Sequence, residues 1–146
     1  MPPLIVGLGS PHGDDQAGWL VIDRMRDLGV SASDALIAHS TADLCHAGNS
    51  VRPFIVCDAA ADGRPVGTIG EWNWPAQPLP SRRGGSHDLA LGEALSLAMQ
   101  LGTIPSHVAV WMISGSDFRP LSSPSTAVLT AAAQLADQLC QRWYHA

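Results

Sequence analysis

The chain has 146 residues, of which 46% are hydrophobic and 14% charged. That is enough apolar material for one core and too little charge for a disordered chain, and it leaves no room for a second full domain beside a single domain over residues 1–146. A formal charge of −5 excludes the basic footprint of a nucleic-acid binder.

The elements read in chain order as follows. Leu4 to Leu8 is a short apolar run bounded by glycine, a buried strand. Gly7 and Gly9 let the chain turn. A helix is expected from Asp14 to Leu28, with Ala17, Val21, Met25 and Leu28 at helical spacing and Gly29 closing it. Ala35 to His39 reads as a second strand and Thr41 to His46 as a short helix. Pro53 to Asp58 is the most strand-like segment and ends in an acid. Asp62-Gly63 is a turn signal, and Val66 to Trp74 a fourth strand. The short connection over 58–66 suggests a hairpin, hence one antiparallel strand. Residues 75–85 form a Pro/Arg/Gly-rich loop, followed by a helix from Asp88 to Leu101 with Ser86 at its N-cap. His107 to Ser114 is the fifth strand. Ser123-Pro124 reads as an N-cap and first-turn pair opening a last helix to Trp143.

Alternating strands and helices imply an α/β layer fold with a mostly parallel sheet. Ligands of such sheets gather beyond the carboxyl ends of the strands. That rule singles out Ser10 to Asp15, Ser40-Thr41, Asp58 and Ser114 to Asp117.

Cys45, Cys57 and Cys140 lie far apart and lack a CxxC spacing, which argues against a disulfide framework or a structural zinc and for a reducing cytoplasm. The N-terminus has neither a charged region nor a long apolar stretch, so no signal peptide is expected. No run approaches the ~18 apolar residues of a membrane span.

Several chemistries fit poorly. Gly7-Leu8-Gly9 would need a glycine at His12 to become a dinucleotide loop, the chain has no lysine for a P-loop, and two aspartates sit where a phosphate would bind. No GxSxG elbow exists, and Ser86-His87-Asp88 are sequence neighbours, unlike a triad. Cys57 reads as core. Asp14-Asp15, Asp58 and His87 remain. Asp14 or Asp15 suits helix capping, Asp58 suits a turn and His87 a solvated loop. Taken together, two carboxylates and an imidazole form a mixed oxygen and nitrogen set for a borderline divalent ion such as nickel or zinc, with open coordination positions. The dipole of the helix after His87 favours the neutral imidazole that ligation needs. His12, His39 and His46 are candidate extra ligands, and Trp72 with Trp74 a candidate docking patch.

The opening Ile-Val-Gly-Leu-Gly-Ser-Pro-His-Gly-Asp-Asp-Gln-Ala-Gly resembles the signature of the nickel–iron hydrogenase maturation endopeptidases. Further matches follow in the family's order: Ser40-Thr41-Ala42-Asp43-Leu44, Val56-Cys57-Asp58-Ala59 and Ser86-His87-Asp88-Leu89-Ala90-Leu91. The resemblance implies a three-layer α/β/α sandwich of the phosphorylase/hydrolase-like kind with a mostly parallel, mixed five-stranded sheet. It implies a cytoplasmic peptidase, monomeric or weakly self-associating, that removes a C-terminal extension from a hydrogenase large-subunit precursor after nickel insertion. Asp15, Asp58 and His87 match the family's metal-contacting acid, acid and histidine, and the nickel is held by the client, with another divalent metal a substitute in vitro. Asp14 would then cap or orient the helix start, His12 would support the ligands, and Trp72, Trp74, Arg82 and Arg83 would contact the precursor. The chain departs from the pattern at Ser10, His12, Gln16 and Ser40, and its loop from Gly9 to Asp14 is one residue shorter. Two other functions share this scaffold: a nickel-sensing assembly factor that does not cut, and a small-molecule hydrolase.

Overall fold

The computed structural model describes residues 1–80 and 90–144. Five strands form one sheet: β1 (Leu4–Leu8), β2 (Ala35–Ala38), β3 (Phe54–Ala60), β4 (Ile69–Trp74) and β5 (Val108–Ser114). Three helices cover it: α1 (Ala17–Asp27), α2 (Leu91–Gln100) and α3 (Thr126–Trp143), with 3-10 turns at Gly13–Gln16 and Thr41–His46. The strand order is β2-β1-β3-β5-β4; all neighbours are parallel except β4, which runs antiparallel to β5.

Burial explains that order. Every residue of β1 and β3 is buried, so both faces need helices and both edges need partners. β5 is nearly as buried and takes the place beside β3, pairing Asp58 with Met112. β4 exposes Glu71 and Asn73 and occupies the edge. The antiparallel strand is therefore present, but the expected hairpin is not: β5 inserts between β3 and β4. The link instead crosses the end of β5, where Gly67 N–H donates to Ser114 O at 2.8 Å and Ser114 N–H to Thr68 O at 2.9 Å.

Alternation along the strands divides the core. Ile5, Ile55 and Cys57 pack with Val21 of α1 and Leu135 of α3. Val6, Val56 and Val110 pack with Leu44 and with Leu95 of α2 on the other face. The result is the expected three-layer sandwich. No helix among the described residues is long and apolar enough to cross a membrane. All three cysteines are free and buried.

All three helix starts differ from expectation. The segment from Asp14 is first a 3-10 turn and becomes α-helical only at Ala17. The last helix opens at Thr126 with Ser125 as its N-cap, two residues beyond the expected Ser123. The described part of α2 starts at Leu91 rather than Asp88; Ser86 and Asp88 lie outside the described residues.

Candidate active site

The strand order reverses around β1. β2 lies on one side of it and β3 on the other, which opens a crevice at the carboxyl ends of β1 and β3. α1 can start at that crevice because two glycines remove the obstacle. A Cβ on Gly7 would lie 2.2 Å from Gly18 O, and one on Gly18 would lie 2.4 Å from Cys57 O. The helix start thus rests on the residue before Asp58.

Asp15 sits in the 3-10 turn that enters α1 and is 6% exposed. Ser10, just beyond β1, donates its hydroxyl to Asp15 Oδ2 at 2.5 Å, and its N–H to the Asp15 carbonyl at 3.3 Å. Serine at this position therefore serves the acid directly. Asp58 is 1% exposed. It does not end its strand, as the sequence suggested: β3 runs on to Ala60, whose carbonyl accepts Gly115 N–H at 2.9 Å. Asp58 Oδ1 accepts the N–H of Ala59 at 2.8 Å. By alternation its side chain shares the α2 face with Val56 and Ala60. Both acids lie at the same end of the sheet. His87 lies outside the described residues, as do Arg82 and Arg83.

Asp14 does not cap the helix it precedes. It is fully buried and reaches across to the segment between β5 and α3. Oδ2 accepts Ser116 N–H at 3.0 Å and Asp117 N–H at 3.1 Å; Oδ1 accepts Ser125 N–H at 2.8 Å and its hydroxyl at 2.7 Å. Burial alone would raise this carboxyl, but the hydrogen bonds from Ser125, Ser116 and Asp117 outweigh it and hold the pKa below the ordinary carboxylate value. Gly115 makes room, since a Cβ there would lie 2.6 Å from the Asp14 Cβ. More bonds join the same two segments. Gly13 N–H donates to Ser122 O at 3.0 Å, Asp14 N–H to Asp117 O at 2.7 Å, and Gln16 Nε2 to Ser122 O at 3.2 Å. His12 Nδ1 accepts Leu121 N–H at 3.0 Å, so that nitrogen is already engaged. Sequence reasoning missed this latch because its halves lie some hundred positions apart.

Other candidates resolve as structural. Burial, reinforced by the Asp58 charge, pushes the Cys57 thiol far above its ordinary value, so it supplies no thiolate. Ser114 donates its hydroxyl to Asp62 Oδ1 at 2.9 Å, and Asp62 also pairs with Arg64 at 2.8 Å. His39 packs edge-on against Trp19, with ring centroids 5.1 Å apart, and His46 is exposed. Trp74 is buried against α2 rather than displayed, and Trp72 lies under the Arg64 guanidinium at 5.0 Å, so the expected tryptophan docking patch is absent. A cavity of about 300 Å³ between Trp74, Trp111 and Trp143 lies at the opposite end of the sheet, away from the acids. No group of three or more His, Cys, Asp or Glu poised to hold a metal occurs among the described residues.

No family model and no curated protein matches the chain. Solved structures do. The [NiFe] hydrogenase maturation protease HycI from Thermococcus kodakarensis superposes with a TM-score of 0.71 at 20% identity, over 94% of this chain and 88% of that one. The hydrogenase maturating endopeptidase HybD from E. coli gives 0.72 at 17% identity, over 97% and 93%. The hydrogenase 2 maturation peptidase from Thaumarchaeota archaeon SCGC_AB-539-E09 gives 0.66 at 20% identity, over 97% of each chain. The chain has the fold of the hydrogenase maturation proteases, the group its motifs resemble.

Proposed function

We propose that this protein is a processing endopeptidase of the hydrogenase-maturation type. Its substrate is the precursor of a nickel–iron hydrogenase large subunit, from which it removes the C-terminal extension once nickel is in place. The observation that carries this reading is the placement of Asp15 and Asp58. Two buried carboxylates stand at the switch point of a sheet with this fold, where such sheets receive ligands.

Two carboxylate oxygens with the His87 imidazole suit a borderline divalent ion that keeps positions open. The nickel belongs to the client, so recognition is conditional. A loaded precursor offers an ion for Asp15, Asp58 and His87 to engage, whereas an empty one offers three polar groups nothing to hold. Ion engagement would fix the extension against the crevice, and a divalent ion held there would supply Lewis-acid chemistry toward a carbonyl or a water. Ser10 orients Asp15 through its 2.5 Å hydrogen bond.

Substitution tests the assignment. Asp15→Asn, Asp58→Asn and His87→Ala should each lower the rate of precursor shortening on the order of 10²-fold or more, the scale of losing one directed electrostatic contact at a reaction site. Circular dichroism should remain that of the parent. Parent-like processing by either aspartate variant would overturn the assignment.

A further inference from the structure

The cavity of about 300 Å³ between Trp74, Trp111 and Trp143 belongs neither to the acids nor to the latch. It exists because a small residue stands in a row of larger ones. The register sets Ala109 of β5 between Ile55 of β3 and Asn73 of β4, and its methyl leaves a depression in the sheet face that carries α1 and α3. Trp111, two residues on, is a buried wall. Trp143, at the end of α3, is another wall and stays 37% exposed. Small-molecule sites occupy about 300–1,000 Å³ and have this make-up, apolar and aromatic walls with a few polar groups.

Two of the polar groups carry opposite charges and come from different elements. Glu71 of β4 pairs with Trp111 in the strand register. Arg142 of α3 lays its guanidinium over the Trp143 ring at 5.0 Å. Stacking fixes the plane of the guanidinium and leaves its N–H edge for an acceptor. The other described arginines have found theirs. Arg24, Arg52, Arg64 and Arg119 hold carboxylates, and Arg26 donates twice to Ala35 O. Among the described residues, Arg142 holds no acceptor and Glu71 no cation. They share one cavity, yet they do not pair with each other.

We propose that this cavity binds a free amino acid with an apolar side chain. The indoles and Ala109 take the side chain, Arg142 the carboxylate and Glu71 the ammonium group. The two charges select the ligand. A neutral apolar molecule leaves both without a partner, and a peptide end brings only one of the two groups. A single small zwitterion satisfies both while its apolar body fills the space between the tryptophans.

The test uses three probes with one phenyl body: L-phenylalanine, 3-phenylpropionate without the ammonium group, and 2-phenylethylamine without the carboxylate. Three of the five tryptophans border the cavity, so tryptophan fluorescence reports its filling. L-phenylalanine should give a saturable change, and each singly charged probe should bind on the order of tenfold more weakly, the scale of one charge-assisted hydrogen bond. Arg142→Gln should lower L-phenylalanine to the level of 2-phenylethylamine, and Glu71→Gln to that of 3-phenylpropionate. Both side chains are exposed, so these variants keep the fold. Ala109→Leu fills the floor and should abolish the response to all three probes; should that variant fail to fold, the two charge variants decide the question. A response that does not saturate, equal affinity for the three probes, or L-phenylalanine binding unchanged in both charge variants would overturn the proposal.

Discussion

At the residue scale, the adjacent acids Asp14 and Asp15 have opposite duties. Asp15 accepts the Ser10 hydroxyl just beyond β1, whereas Asp14 gathers four donors from a segment about a hundred residues later. Asp14→Asn places an amide donor where an acceptor is needed. The loss leaves part-buried N–H groups unpaired, and we expect a cost of about 2 kcal/mol in urea unfolding. Linkage gives a second signature. The folded pKa of Asp14 lies below its unfolded value, so its contribution is fully present above about pH 4 and fades as pH falls through the folded pKa. Asp14→Asn should therefore be less stable than the parent at neutral pH and converge on it in acid. A constant gap down to pH 2 would contradict the latch. The sequence shows Asp-Asp before a helix, and a local reading naturally assigns a cap. Nothing local marks Ser116, Asp117 and Ser125 as the partners, which is why this half of the site was not legible.

At the element scale, the legible parts are those written in local apolar runs. β1 has the bounds its apolar run implies, and the short turn over Thr41–His46 is where its residues place it. Pairing partners are not local. A short link between β3 and β4 looks like a hairpin whether or not another strand later enters between them, and burial of both faces of β5 decides that it does. The start of α3 moves to Ser125 because Asp14 holds that residue's N–H and hydroxyl, a tertiary contact that overrides the Ser123-Pro124 signal. The packing of α1 on the sheet depends on close backbone approach. A Cβ on Gly18 would lie 2.2 Å from Leu8 O, against backbone that cannot yield cheaply. Gly18→Ala should cost about 3 kcal/mol or more by thermal or denaturant unfolding, the upper range for overpacking. A cost within experimental error would mean that α1 sits further from β1 than described.

At the scale of the whole molecule, the three layers bring Asp15 and Asp58 from separate segments to one end of the sheet, leaving the described cavity at the other. Alternating strands and helices made the layers readable, and the strand-end rule pointed to the end of the sheet where Asp15 and Asp58 lie, although Asp58 falls within β3 rather than at its end. The departure at Ser10 also acquires a cause, since its hydroxyl holds Asp15. The proposed function adds a checkpoint to this frame: under that reading, a precursor is cut only when it brings its own ion to the carboxylates. The most direct test is the mass of a nickel-loaded large-subunit precursor after incubation with this protein, beside the same precursor without nickel. The account predicts loss of the C-terminal extension in the loaded sample alone. Equal cleavage of both would contradict the checkpoint, and an unchanged mass in a bound, loaded precursor would make the protein an assembly factor rather than a peptidase.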